Sequence, residues 1–255
     1  MITRRGLLKG GVSASIIGTM GFLSVNPVKS PVLSKFVRRD GANLVLDGEP
    51  FYFSGTNNFW LTEPTSSLDT VNTLVSNSSA LGKNAVRTWA MCEGQEGRCF
   101  QPRPGEYDED AFRRLDYVVY RARQNGIHVI LPFTDNWSFY GGMAKYVEWS
   151  SSAEKHDDFY TDEQCREWYR DYIYYLLNRE NVYTGVKYKD DPTILAWELV
   201  NEPHAESDPS GDTLQQWIEE MSRYVKMIDS NHLVSTGLEG FYNGKGLMKE
   251  TGEDR

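Results

Sequence analysis

Thr193 to Pro203 reads Thr-Ile-Leu-Ala-Trp-Glu-Leu-Val-Asn-Glu-Pro, a β-rich run that a proline brings to a halt. Proline has no N–H to give to a ladder, so Pro203 ends the strand and leaves Asn201 and Glu202 at its carboxyl-terminal rim. In barrels of alternating strands and helices, catalytic groups sit at that rim. With a side-chain period of two, Ala196, Glu198, Val200 and Glu202 share one face and Leu195, Trp197, Leu199 and Asn201 the other, unless a bulge intervenes. Glu198, in mid-strand, is expected to be a paired interior acid, whereas Glu202 is placed where a substrate can reach it.

Outward from this strand, two hydrophobic periods alternate. Phe36 to Phe53 carries the turn signals Asp40-Gly41 and Asp47-Gly48 and reads as a hairpin leading into a first strand, Phe51 to Asn57. A helix from Ser67 to Leu81 stops at Gly82, and a second strand runs from Asn84 to Ala90. Asp108 to Asn125 sets Phe112, Leu115, Val119 and Ala122 on one helical face, and Ile127 to Phe133 is a third strand. A capping box, Thr161-x-x-Gln164, opens a helix to about Arg179 that buries Trp168, Tyr172 and Leu176. Ile194 to Val200 is the fourth strand, Asp212 to Ile228 the next helix, and Leu233 to Leu238 the fifth strand.

This alternation predicts a parallel sheet with helices outside. A dinucleotide-binding sheet needs a Gly-x-Gly-x-x-Gly turn after its first strand, and Phe53 to Leu61 has none; a phosphate-cradling Lys loop is also absent. The fold class is therefore α/β, a (β/α)8 barrel that is incomplete, with about five of eight strand-helix units legible.

The chain has 255 residues, 40% of them hydrophobic and 13% aromatic, enough for a substantial core. Its net charge of −9 argues against a phosphate-backbone partner, which needs clustered Lys and Arg, so no nucleic acid is expected. Residues 1–35 read as a twin-arginine signal segment and linker: Arg4-Arg5 precede an uncharged stretch, Gly10 to Val25, too short and polar to span a bilayer comfortably. Export outside the cell without stable membrane insertion follows, with residues 36–255 as one partial barrel domain. Of three cysteines, Cys92 and Cys99 flank one loop and could bridge, an arrangement that spacing alone leaves open, and Cys165 falls within a helix.

The rim also collects aromatic rings. Trp60 follows the first strand, Trp89 closes the second, and Trp137 and Tyr140 follow the third. Flat aromatic faces in an open cleft suit the apolar faces of pyranose rings, and Asn57, Asn58 and Asn136 suit hydroxyls. Trp197, Trp168 and Trp217 are expected in the core. An inward Arg87 requires a carboxylate partner. The four histidines are scattered and form no metal-ligand spacing; His204 beside Glu202 is a candidate ligand contact, and His128 and His232 are structural. A protonatable carboxyl beside bulky aromatics suits donation of a proton to a departing glycosidic oxygen, with Asn201 on a sugar hydroxyl.

Phe53-Ser-Gly-Thr-Asn-Asn-Phe-Trp-Leu61, Val86-Arg-Thr-Trp-Ala90, the run from Tyr183 to Pro203, and Gly237-Leu-Glu-Gly-Phe241 together resemble the endo-β-1,4-mannanases of glycoside hydrolase family 5, in order from about Phe36 to Tyr242. The resemblance implies a (β/α)8 barrel and retaining hydrolysis of internal β-1,4-mannosidic bonds in mannan, galactomannan or glucomannan, with no metal or organic cofactor. On it, Glu202 is the acid/base, Asn201 contacts the sugar 2-hydroxyl, Arg87 orients the nucleophile, Trp89 lies in the sugar cleft, and Glu239 contacts substrate after the fifth strand. Retention needs a second carboxyl roughly 5 Å from the first. The resemblance puts that nucleophile after a seventh strand, and neither Glu250 nor Glu253, in a short polar tail, replaces it. The chain is thus expected to be the amino-terminal part of such an enzyme, inactive by itself, or else a non-catalytic mannan-binding module.

Overall fold

Short polar turns, then long amphipathic helices between buried strands, give the chain its two layers. The computed structural model describes residues 33–240; the expected signal segment up to residue 32, and Glu250 and Glu253, lie outside the described residues. Strands β1 (Arg38–Asp40), β2 (Asn43–Leu46) and β3 (Glu49–Pro50) form an antiparallel sheet. The β2–β3 turn is Asp47-Gly48, both at positive φ, as a two-residue loop in a right-twisted hairpin demands. The β1–β2 turn is Gly41-Ala42, one residue beyond the Asp-Gly signal, because Asp40 still pairs with Asn43.

The main sheet is parallel, in the order β4 (Gly55–Asn57), β5 (Ala85–Arg87), β6 (His128–Pro132), β7 (Ile194–Glu198) and β8 (Leu233–Ser235). Between these strands come α1 (Leu68–Ala80), α2 (Glu109–Gln124), α3 (Gly142–Trp149), α4 (Glu163–Asn178) and α5 (Asp212–Ile228). Ser67 and Asp108 cap α1 and α2 by accepting from the backbone N–H three residues on. The expected capping box of α4 is not used. Asp162 caps instead, its Oδ1 accepting from the Cys165 N–H at 2.9 Å, since a carboxylate is the stronger acceptor. Trp168 is accordingly half-buried and Tyr169, one position further round, takes the core place expected for it. Helix α3 carries only eight residues and gave no sequence signal.

One core lies between sheet and helices, built from Val86, Val129, Leu131, Trp197, Leu199 and the apolar faces of α1, α2, α4 and α5. A second, smaller one lies on the other face, where Val37, Leu44, Leu46 and Phe51 of the amino-terminal sheet pack against Ile130, Leu195, Ala196 and Leu233. This apolar floor leaves the opposite end of the strands for polar groups. His128 packs edge-on against Phe51, and buried His232 bonds Asp229 and the Asp191 carbonyl, so both are structural, as expected. Cys92 and Cys99 are bridged, and Cys165 is a buried free thiol. Among the described residues no helix is long and apolar enough to cross a membrane.

Candidate active site

Two irregularities in β7 and its extension aim the polar groups. Val129 pairs with Ile194 but Ile130 pairs with Ala196, so Leu195 is a bulge and both Leu195 and Ala196 face the floor. Beyond the strand, the Leu199 N–H bonds the Ser235 carbonyl on the β8 side, whereas the Asn201 N–H bonds Thr134 on the β6 side. Residues two apart in a regular strand would bond the same neighbour. The alternation therefore slips by one at Val200, which joins Leu199 in the helix-side core and turns Asn201 to the face of Glu198. This corrects the expectation that Glu198 and Asn201 lie on opposite faces.

Arg87, at the end of β5, ties the two together. Its Nε donates to Glu198 Oε2 at 2.7 Å and its Nη2 to Asn201 Oδ1 at 2.8 Å, with a longer bond of 3.4 Å to Asn57 Oδ1. The inward arginine thus finds its carboxylate, and Glu198 is the paired interior acid expected. Asn201 Nδ2 donates to Asp135 Oδ1 at 2.9 Å, so the amide is oriented from both ends, with a donor on its oxygen and an acceptor on its nitrogen. One amide hydrogen and one oxygen lone pair are left over from these bonds. Burial pushes the Asp135 carboxyl up to about 6, against the bonds from Asn201 and the Trp137 amide, and the nearby Glu202 charge adds to the rise.

Glu202 sits at φ 56°, the left-handed region that costs a non-glycine residue about a kcal/mol or more. The conformation is held from both sides. The Glu202 N–H donates to the Gly237 carbonyl at 2.9 Å, and Trp137 Nε1 donates to Glu202 Oε2 at 2.7 Å. Gly237, at φ 81°, has no room for a side chain, since a Cβ there would stand 1.9 Å from the Val200 carbonyl oxygen. The half-buried Glu202 carboxyl is thereby turned toward Trp137 in the loop after β6, and Trp137 in turn lines, with Asn136, His156, Asp157 and His204, a cleft of about 670 Å³ whose lining does not include Glu202.

Of the other candidates, His204 joins this cleft, with its ring 5.3 Å from that of Trp137 and Asn136 Nδ2 donating to its Nδ1 at 3.2 Å. Trp89 is almost wholly covered, packed between Phe59 and Tyr140 at 4.8 and 4.7 Å, and its Nε1 has no hydrogen-bond partner among the described residues. It is a packed ring and not an open platform, and it is not among the residues that line the cleft. Trp60 is half-buried and lines two shallower grooves, one along α1 and one with Arg98 and Tyr140, neither of which includes Glu202. Glu239 lies half-buried two residues beyond Gly237. Trp217 and Trp197 are core, as expected.

Sequence reasoning missed Glu93, which supports this rim from below. It is 3% exposed, accepts from Thr134 Oγ1 at 3.0 Å and from the Gly142 N–H at 2.9 Å, and its carboxyl is pushed up to about 8. Burial is the main cause, opposed by those two bonds and augmented by Asp135. It also missed Asp135 and the pair His156-Asp157; Asp135, in Thr134-Asp135-Asn136-Trp137 just past a strand end, occupied a rim position that could have been read.

A family model described as "GH family 5 beta-mannosidase-like" matches residues 34–251. The chain belongs to this family. It is 43% identical over 224 residues to mannan endo-1,4-beta-mannosidase 7 of Arabidopsis thaliana, covering 85% of this chain and 52% of that protein. It is 43% identical over 215 residues to mannan endo-1,4-beta-mannosidase 1 of Oryza sativa subsp. japonica, with 81% and 50% covered. Among solved structures, the endo-1,4-beta-mannanase of Rhizomucor miehei superposes with a TM-score of 0.77 at 40% identity, over 85% of this chain and 64% of that one. That of Thermotoga petrophila gives 0.72 at 38%, over 80% and 46%. The family 5 chain thus spans about half the length of the curated relatives it matches, and its five parallel strands are part of their (β/α)8 barrel.

Proposed function

We propose that this family 5 chain carries the acid/base portion of a retaining glycoside hydrolase acting on internal β-1,4-mannosidic linkages of mannan, galactomannan or glucomannan. The observation that carries the reading is Glu202, half-buried in a left-handed backbone just beyond the end of β7, next to an oriented asparagine and bonded by Trp137, which itself lines a cleft. In the first step the Glu202 carboxyl gives its proton to the bridging oxygen as the glycosidic bond breaks; in the second it takes a proton from the attacking water. Asn201 holds a hydroxyl of the ring being cleaved, and Arg87 sets Asn201 while supplying positive charge beside the reacting centre.

The partner carboxyl comes, on this proposal, from outside the described residues. Asp135 is 1% exposed and bonded to Asn201, and Glu198 is tied to Arg87, so neither is free to attack a sugar. Residues 33–240 alone would then bind mannan without turning it over. We also propose that the protein acts outside the cell: the Arg4-Arg5 segment resembles a twin-arginine leader, and the Cys92–Cys99 bridge fits an oxidising compartment.

The test is to incubate the full-length gene product with galactomannan and count new reducing ends. Glu202→Gln is expected to lower turnover by about 10²- to 10⁴-fold, the range of general acid–base catalysis. Turnover unaffected by that change would overturn the assignment, and binding without turnover would favour a mannan-binding module.

A further inference from the structure

The cleft that Trp137 lines is tied by a side-chain pair that the acid/base reading does not use. The 3-10 segment His156–Tyr160 follows α3 and faces the loops after β6 and β7. His156 Nε2 lies 2.8 Å from the Asn136 carbonyl oxygen and Nδ1 lies 2.9 Å from Asp157 Oδ1. Each ring nitrogen thus faces an oxygen acceptor, one on the loop after β6 and one on its own segment. The other carboxylate oxygen, Asp157 Oδ2, accepts from the Ser207 N–H at 2.7 Å, in the loop that also carries Glu202 and His204. Burial would raise the Asp157 carboxyl, but the bonds from His156 and Ser207 outweigh it and hold it below its ordinary value. Tyr160 Oη adds a bond to the His204 carbonyl at 3.0 Å.

We propose that His156 and Asp157 form a staple across three loops whose task is to position Trp137 against Glu202. The Asn136 carbonyl belongs to the peptide plane that delivers the Trp137 nitrogen, so fixing that oxygen fixes the plane from which the indole projects. At the other end, the Asp157 bond to Ser207 holds the loop on which the Glu202 carboxyl waits. The Trp137–Glu202 bond therefore spans two loops whose separation the staple sets. His156 touches no reacting atom and is a positioning residue. The inference rests on Glu202 as acid/base and extends it to the residues that hold its proton donor geometry.

The test reads the bond itself. In the 255-residue chain, the Trp137 indole N–H signal is identified as the one that Trp137→Phe removes from the nitrogen–proton correlation spectrum. Glu202→Gln gives its position and solvent-exchange rate when the carboxylate is gone. His156→Ala is expected to move the signal toward the Glu202→Gln position and to speed its exchange about tenfold, the effect of losing one charge-assisted hydrogen bond. His156→Gln, whose amide nitrogen overlays Nε2 and still reaches the Asn136 carbonyl, is expected to keep both near wild type. Should the alanine variant fail to fold, His156→Asn replaces it, because its shorter amide reaches Asp157 but not Asn136. A Trp137 signal unchanged in folded His156→Ala or His156→Asn overturns the staple, as does a His156→Gln variant no better than these. The hydrolysis assay of Glu202→Gln is read separately, so a failed staple and a failed acid/base assignment give different results.

Discussion

Replacing Glu93 by glutamine should make the protein's stability less dependent on pH, by an amount the structure sets. The carboxyl is buried beneath the rim, with Thr134 Oγ1 and the Gly142 N–H as partners, and holds its proton up to about pH 8 against an ordinary value of 4.5. In the unfolded chain it loses that proton near 4.5. Between these limits the unfolded state binds one proton fewer than the folded one, so stability falls as pH rises, with a slope of about 1.4 kcal/mol per unit. The contribution is fully present below pH 4.5 and is lost by about pH 8, a span worth about 5 kcal/mol. Glutamine keeps the geometry, since its oxygen accepts from Gly142 and its amide can donate to the Thr134 hydroxyl, and it does not titrate. Urea unfolding followed by far-ultraviolet circular dichroism at pH 5, 6.5 and 8 checks this. The difference in unfolding free energy between Glu93→Gln and wild type should move in favour of the variant at each step, by several kcal/mol in all. Carboxyls that do not interact with Glu93 titrate alike in both proteins and drop out of the difference; Asp135, whose charge helps raise Glu93, is coupled to it and does not drop out entirely. Parallel curves would refute the reasoning, for they would mean that Glu93 is ionised in the folded protein or reaches water.

Gly237→Ala drives a Cβ to 1.9 Å from the Val200 carbonyl at a positive φ, and should destabilise the fold by more than about 3 kcal/mol, visible as a lower melting temperature and lower soluble yield. Arg87→Lys keeps the charge but cannot hold Glu198 and Asn201 together; kcat on galactomannan should fall roughly 10- to 100-fold, measured with the full-length gene product.

The sheet and its helices were legible because their signals are local. Ser67 and Asp108 cap the helices they were expected to open, and α5 runs over the residues its apolar spacing marked. Expected strands ran longer than observed ones, since apolar residues such as Leu199 and Val200 continue into the core after ladder pairing has ended. The candidate site was legible as a set of residue types at one rim, less so as a geometry. Parity along Ala196 to Glu202 placed Asn201 opposite Glu198, and only the slip at Val200, made by hydrogen bonds to two different neighbouring strands, brings both to Arg87. Glu93 and His156 were illegible for a related reason: each acts through a partner more than nineteen positions away, such as Thr134 or the Asn136 carbonyl, and neither bond leaves a mark in the sequence.

The central claim, that Glu202 protonates the bridging oxygen, is tested most directly by leaving-group dependence in Glu202→Ala. Turnover of mannohexaose, whose departing sugar alkoxide needs the proton, should fall by about 10³-fold, within the range for a lost general acid. Release of dinitrophenolate from an aryl β-mannobioside, a leaving group that departs unprotonated, should stay within about tenfold of wild type in its first, bond-breaking step. An equal loss on both substrates, or no loss on mannohexaose, would contradict the account.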